Sequence, residues 1–243
     1  MRIALISDIH GNSIALRAVL DHIDRQGADS IVCLGDIAAL GPSPVETVQT
    51  IRDLGCPCVM GNHDAFMNDP ELIRSYTDVP QVLASVDWCR DRLTHDDLAF
   101  LASFPADMEI PIIPGASLWI FHGTPRSHME NLLAETPPAE LDRMLGGRTA
   151  QLIACGHSHV QMLRQHRGTL IVNPGSVGLP YREVISDTPP EVLDHAEYAI
   201  IEISAQGTNV TLFRVPVDRD ALFKSAQATD HPLRDWLIRQ YSW

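Results

Sequence analysis

Residue types that bind transition metals recur in five short clusters, each directly after an apolar run that predicts a buried strand. Glycine flanks nearly every cluster, and it lets the backbone turn sharply beside a ligand. The clusters are Asp8-Ile9-His10, Gly35-Asp36, Gly61-Asn62-His63-Asp64, His122-Gly123 and Gly156-His157-Ser158-His159. Carboxylate oxygen, imidazole nitrogen and amide oxygen together suit Mn, Fe, Zn, Co or Ni better than Ca. The chemistry that these residues indicate is therefore transition-metal binding.

Each cluster taken alone has a plainer structural explanation. Asp8 could cap a helix, His122 could be a hydrogen-bonded core histidine, and residues 61–64 could form a turn. Five such clusters in succession are harder to explain in that way. The carboxyl ends of strands in an open α/β sheet gather at one edge, where ligand sites form. The set therefore predicts one shared metal site.

The elements that would position these clusters alternate between strand and helix in the first part of the chain. Strands are predicted over residues 3–7, 30–34 and 58–60, and helices over residues 13–25 and 44–54. This order predicts parallel strands joined by right-handed crossovers. Residues 64–104 are predicted to form a helical insertion, most clearly over 79–93 and 96–104. The insertion either caps the site or only packs against the core.

The second half of the chain changes to mostly strands. They are predicted over residues 117–121, 151–155, 169–172, 196–203 and 209–215, with helix again from residue 219 and a loop over 183–195. A short turn at Gln206-Gly207-Thr208 separates the last two strands, which predicts an antiparallel hairpin. We expect a single domain over residues 1–243. Its fold class would be α/β, a four-layer αββα sandwich of two mixed sheets with helices outside.

The five clusters in this order resemble the motifs of the calcineurin-like metallophosphoesterase superfamily. The resemblance covers about residues 1–180. It is closest to the small bacterial phosphodiesterases, whose C-terminal motif is similar to Asn173-Pro174-Gly175-Ser176-Val177-Gly178. It implies two divalent or transition metal ions. One would be held by Asp8, His10 and His159, the other by Asn62, His122 and His157, with Asp36 bridging them. Two bridged cations would lower the pKa of a shared water, so that hydroxide attacks the phosphorus.

The resemblance also implies roles for two further residues. His63 would protonate the leaving group without binding metal, and Asp64 would support the turn or orient His63. Related protein phosphatases follow Gly-Asp with Asp-Arg-Gly, whereas Gly35-Asp36 leads here to Ala38-Ala39-Leu40-Gly41-Pro42. The carboxylate that partners the catalytic histidine in those enzymes is missing. Protein phosphatase activity is therefore disfavoured.

Two arginines are candidate contacts for the substrate phosphate, although each could equally be a surface residue. Arg126 follows His122-Gly123-Thr124-Pro125, and Arg182 follows Pro180-Tyr181. The leading interpretation is a phosphodiesterase that acts on a small, nucleotide-like ester. The alternatives are a phosphomonoesterase, a dinucleoside polyphosphate hydrolase, or a non-catalytic metal-binding scaffold. The presence of His63 disfavours the scaffold, because a scaffold needs no proton donor.

Composition and net charge limit the classes of partner that the protein is expected to bind. The chain of 243 residues has a net charge of −13, so binding to long nucleic acid is disfavoured, since that affinity comes from Lys and Arg. Bound cations can supply the positive charge that a small phosphate ester needs. No signal peptide or membrane span is predicted, so we expect a cytoplasmic protein. The chain could also form a homo-oligomer.

The five cysteines show no disulfide framework. Cys56-Pro57-Cys58 could be a redox or metal pair, but two free thiols entering a strand are the simpler explanation.

Overall fold

The computed structural model describes residues 1–113, 115–185, 189–204 and 206–242. The strands are β1 (Arg2–Ile6), β2 (Ser30–Cys33), β3 (Asp107–Ile113), β4 (Ala116–Phe121), β5 (Leu152–Ala154), β6 (Met162–His166), β7 (Thr169–Asn173), β8 (His195–Ser204) and β9 (Gly207–Pro216). The helices are α1 (Ser13–Gln26), α2 (Pro44–Leu54), α3 (Asn62–Asn68), α4 (Pro80–Arg90), α5 (His95–Ala102), α6 (Pro138–Met144), α7 (Arg219–Gln227) and α8 (Arg234–Tyr241), with a 3-10 helix at Pro70–Ser75. Three of these helices and the 3-10 helix form the predicted insertion.

The strands form two mixed sheets, ordered β2-β1-β8-β9 and β3-β4-β5-β7-β6. In the first sheet β1 pairs in parallel with β2 and antiparallel with β8. The predicted hairpin of β8 and β9 is confirmed by their antiparallel pairing. In the second sheet β4, β5 and β7 run parallel at the centre, and antiparallel β3 and β6 lie at the edges.

Successive side chains of each strand point to opposite faces of its sheet, and the buried apolar residues form three hydrophobic clusters. In β4, Leu118 and Ile120 pack between the two sheets, together with residues of β1 and β8. Trp119 and Phe121 point the other way and pack on Leu141 of α6. A third cluster joins the outer face of the first sheet to the remaining helices. This arrangement confirms the expected α/β sandwich of two mixed sheets with helices outside.

Several predicted elements differ from the structure. The predicted strand at residues 58–60 is wrong, because it is reduced to one parallel bridge between Cys58 and Cys33. The amide of Met60 donates instead to the carbonyl of Pro105, which draws the chain away from the sheet. The edge strands β3 and β6 carry polar residues, and β3 contains Pro111, so neither has the apolar run of a buried strand. The predicted loop lies partly outside the described residues.

The five cysteines are free thiols, and the Sγ atoms of Cys56 and Cys58 lie 3.9 Å apart. Among the described residues, no helix is both long enough and apolar enough to cross a bilayer.

Candidate metal centre

The predicted clusters meet in one place because they follow neighbouring strand ends of the two sheets. The loops after β1 and β2 and the start of α3 come from the first sheet, and the loops after β4 and β5 come from the second. Glycine allows these loops to approach closely. A Cβ at Gly61 would lie 2.1 Å from Asp36 Oδ1, and one at Gly156 would lie 2.1 Å from Ser7 Oγ. All seven proposed ligands are buried.

Five of the proposed ligands have a left-handed backbone, which non-glycine residues rarely adopt. They are Asp8, His10, Asp36, His157 and His159, with φ between 49° and 67°. Hydrogen bonds between loops hold these conformations: the amide of Asp8 donates to the carbonyl of Gly35, and that of His10 donates to the carbonyl of Asp36. Such conformations cost on the order of 1–3 kcal/mol each and concentrate at functional sites. Here they turn the side chains toward a common centre.

The first ligand group lies between the loops after β1 and β5. His159 Nε2 is 3.2 Å from Asp8 Oδ1, and His10 Nε2 is 3.8 Å from the same oxygen. The two Nε2 atoms of His10 and His159 are only 3.0 Å apart. These three residues form one of the groupings that can hold a metal ion.

The second group shares a carboxylate with the first. Asp36 Oδ2 is 3.4 Å from His122 Nε2 and 3.6 Å from His10 Nε2, so one oxygen faces a histidine of each proposed ligand set, and bridging stays a prediction. Asn62 Oδ1 is 3.2 Å from His122 Nε2. The ring of His157 lies beside this group, with its centroid 5.3 Å from that of His122.

The hydrogen bonds of the histidines decide which ring nitrogens can bind a cation. The Nδ1 atoms of His10, His122 and His159 face the backbone carbonyls of Ala39, Leu34 and Leu179, at 3.1, 2.6 and 2.6 Å. A carbonyl only accepts, so each Nδ1 carries the proton and each Nε2 of a neutral ring presents a lone pair. Hydrogen bonds of this kind also orient metal-binding histidines.

Hydrogen bonds likewise occupy one oxygen of each carboxylate, Asp8 and Asp36, and leave the other oxygen facing the centre. Asp8 Oδ2 accepts from Ser7 Oγ at 2.5 Å and from the amide of His157 at 3.1 Å, whereas the buried Oδ1 has no partner among the described residues. Asp36 Oδ1 accepts from the amide of His63 at 2.8 Å, which leaves Oδ2 facing the imidazoles. Acceptor atoms thus face acceptor atoms, and a bound divalent cation would satisfy several of them at once. The residues therefore fit divalent metal ions.

The shifted pKa values of Asp8 and His122 also indicate that the centre favours positive charge. Burial acts to raise the pKa of Asp8, but His159 and His122 hold it well below its usual range. Burial acts to lower the pKa of His122, but Asp36 and Asp8 raise it to about 10. Without metal, an imidazole proton supplies the charge that a bound cation would supply.

Asp64 supports the turn between the loop after β2 and helix α3. Its carboxylate accepts from the amides of Asp36 at 2.7 Å, Ile37 at 3.0 Å and Gly61 at 3.0 Å. Burial, followed by the nearby charge of Asp36, raises the pKa of Asp64 to about 6, although the three amides act in the opposite direction. Of the two roles expected for Asp64, these contacts favour support of the turn over orientation of His63.

His63 lies at the start of α3, with its ring centroid 5.1 Å from that of His10. Its buried Nδ1 has no partner within the described part of the chain, in keeping with the missing carboxylate. Burial lowers the pKa of His63 to about 3, so the imidazole is neutral at neutral pH. A proton-donor role therefore requires the charge of a bound phosphate to raise this pKa. His63 also forms a possible metal-holding group with His10 and Asp36.

The two candidate arginines form exposed ion pairs. Arg126 Nε donates to Glu130 at 2.8 Å, and the guanidinium also contacts Glu140 at 3.2 Å. Arg182 Nε donates to Glu191 at 2.7 Å. A substrate phosphate would have to replace these carboxylates, and contact with substrate stays a prediction for both residues.

The structure adds supporting residues that the sequence analysis did not single out. Ser176 Oγ donates to the carbonyl of Asp8 at 2.7 Å, and the amide of Gly178 donates to the same carbonyl at 3.0 Å. Both belong to the Asn173–Gly178 motif, which was the available signal. Tyr181 stacks on His159, and Tyr76 of the insertion contacts His63 and His157. Neither tyrosine has a sequence signal of its own.

Comparison with known proteins identifies the family of the chain. The chain is 33% identical over 213 residues to an uncharacterized protein of Methanocaldococcus jannaschii, covering 82% of this chain and 84% of that one. A metallophosphoesterase structure from Sphaerobacter thermophilus is 28% identical, with a TM-score of 0.74 and coverage of 99% and 98%. A symmetrical bis(5'-nucleosyl)-tetraphosphatase of Thioalkalivibrio sulfidiphilus is 28% identical over 111 residues, covering 40% of this chain and 41% of that one. Residues 1–205 match the calcineurin-like phosphoesterase superfamily domain, and the chain therefore belongs to this superfamily.

Proposed function

We propose that this chain is a dinuclear metal-dependent phosphodiesterase that hydrolyses a small, nucleotide-like phosphate ester. The observation that carries the proposal is the pair of ligand groups that share Asp36, whose Oδ2 lies 3.4 Å from His122 Nε2 and 3.6 Å from His10 Nε2. When bound, two divalent cations at this site would activate water and offset the phosphoryl charge.

The protein's own residues would hold the metal ions, donate a proton and support the turn beside the site. Asp8 and the three carbonyl-bonded histidines present their free oxygen and Nε2 atoms at the centre, so little reorganisation is needed on binding. Once the charge of a bound phosphate has raised the pKa of His63 enough to protonate its ring, His63 would give that proton to the leaving oxygen as the ester bond breaks. Asp64 supports the turn before helix α3, because its carboxylate accepts from the amides of Asp36 and Gly61.

The test is a panel of aryl phosphate monoesters and diesters, assayed with Mn2+ on protein whose metal content has been measured. We expect two metal ions per chain and faster hydrolysis of diesters than of monoesters. The matched control is His166→Ala, which removes a buried histidine that pairs with Asp142 outside the centre. Faster hydrolysis of monoesters would overturn the diester assignment. No hydrolysis by metal-loaded protein would instead favour a non-catalytic scaffold.

A dinucleoside polyphosphate hydrolase is the second candidate. Supporting it is the similarity to the symmetrical bis(5'-nucleosyl)-tetraphosphatase, which extends over 111 residues at 28% identity. Adding diadenosine tetraphosphate to the panel and identifying the products by chromatography tests this candidate. A rate on this substrate well above that on the aryl diesters would favour it over the phosphodiesterase.

A further inference from the structure

One aromatic residue of the helical insertion reaches the metal centre. Tyr76 follows the 3-10 helix, and its ring centroid is 6.1 Å from that of His63, with the planes at 83°. It is also 6.1 Å from the ring of His157, at 54°. His63 belongs to the first sheet's side of the centre and His157 follows β5 of the second sheet. Tyr76 therefore lies beside one histidine positioned by each sheet.

Tyr76 differs from the residues beneath it because its side chain is partly exposed. Its relative exposure is 37%, whereas Phe66, whose ring centroid lies 5.9 Å away, is fully buried and supports it. Leu72 and Val79 are exposed as well, at 39% and 44%. Three exposed apolar side chains within eight residues thus lie on the segment that borders a strongly polar centre.

The expected placement of the substrate at the metal centre suggests a role for Tyr76. The phosphoryl group would lie against Asp8, Asp36 and the Nε2 atoms, and the leaving oxygen would lie at His63. A leaving group that extends outward from His63 can lie against the ring of Tyr76, the partly exposed neighbour of His63. Aromatic rings attract one another at centroid separations of about 4.5–7 Å, in offset or edge-to-face contact. A flat leaving group beside Tyr76 would also cover its exposed surface.

We propose that Tyr76 forms a leaving-group subsite that selects phosphate esters whose leaving group ends in a flat aromatic ring, such as an aryl group or a nucleobase. This inference rests on the proposed function, because it takes the centre as the phosphoryl site and His63 as the neighbour of the leaving oxygen. The insertion would thereby contribute to substrate selection.

The experiment measures binding instead of turnover. Phenylphosphonate and cyclohexylphosphonate have similar size, but only the first is aromatic, and neither contains an ester bond to hydrolyse. Their affinities for Mn2+-loaded protein are measured by calorimetry for the wild type, Tyr76→Phe and Tyr76→Leu. Inorganic phosphate is measured in parallel, as a check that the metal centre is intact in each variant.

We expect the wild type and Tyr76→Phe to prefer phenylphosphonate by roughly three- to tenfold, as one aromatic contact allows. Tyr76→Leu should lose that preference while its affinity for inorganic phosphate stays unchanged. A preference that persists in Tyr76→Leu overturns the inference, and so does an equal loss of affinity for all three ligands. Binding needs no hydrolysis, so a protein that shows the expected preference but cleaves no ester would refute the proposed function and leave the subsite standing.

Discussion

The ring of Tyr181 lies parallel to the imidazole of His159, with the centroids 4.2 Å apart and the planes at 12°. The amide of Tyr181 donates to the carbonyl of His159 at 3.2 Å. His159 Nδ1 in turn faces the carbonyl of Leu179 at 2.6 Å. The imidazole is thus held on one face and at one nitrogen, which leaves Nε2 directed at Asp8 and His10.

Replacing Tyr181 with leucine should weaken metal binding by about tenfold or more, the effect of removing a residue that orients a metal ligand. Tyr181→Phe keeps the stacked ring and should bind metal like the wild type. Calorimetric titration of metal-free protein with Mn2+ measures both variants. Wild-type affinity in Tyr181→Leu would show that the stacking does not position His159.

Metal binding should stabilise the folded chain, because the ligand groups come together only after folding. At a free metal concentration of about one hundred times Kd, the added stability is roughly 2.7 kcal/mol. Thermal unfolding with Mn2+ and with a chelator measures this gain as a rise in Tm. His159→Ala should lose most of the rise, whereas His166→Ala should keep it. An equal loss in both variants would place the effect outside the proposed centre.

His63→Gln separates proton donation from metal binding. If His63 donates the proton, the variant should keep its metal content and lose about 100-fold or more in rate on esters with poor leaving groups. Esters of activated phenols need little protonation and should be affected far less. Metal analysis and rates on both kinds of substrate provide the measurement. Loss of one metal ion would instead identify His63 as a ligand.

His231 should make stability depend on pH independently of the metal centre. Its ring packs on Trp88 at a centroid distance of 4.6 Å, and its Nδ1 accepts from the amide of Leu233 at 3.0 Å. Burial, assisted by Arg92 and opposed by Asp230, lowers the pKa of His231 from 6.5 to about 4. The unfolded chain therefore binds more protons between these two values. The stabilisation is complete above the upper value and is lost as pH falls toward the lower one.

This loss should amount to about 3 kcal/mol over the window between those pKa values. His231→Asn keeps an acceptor for the Leu233 amide but cannot titrate, so its unfolding free energy should fall less steeply with decreasing pH. Urea unfolding of both proteins with a chelator present, from about pH 7 down to pH 4, measures the difference. Parallel curves for the two proteins would contradict the assignment.

The metal-binding residues at the strand ends could be predicted from the sequence because they depend on local patterns. Residue type defines the available ligand atoms, and short apolar runs mark β1, β2, β4 and β5. The carboxyl edges of such strands then bring Asp8, Asp36 and His122 together. Strands β3 and β6 escaped prediction because their sequences mix polar residues with apolar ones, and β3 is also interrupted by Pro111.

By itself, the sequence determined which residues could bind metal and that their strands would deliver them to a common edge. Only the tertiary structure decided which atoms face one another. His10 and His159 are separated by 149 residues, and their Nε2 atoms meet because two sheets pack together. The same packing sets each tautomer through a distant carbonyl, places Tyr76 beside His63 and His157, and stacks Tyr181 on His159. No local pattern encodes such contacts, because they depend on how whole layers pack.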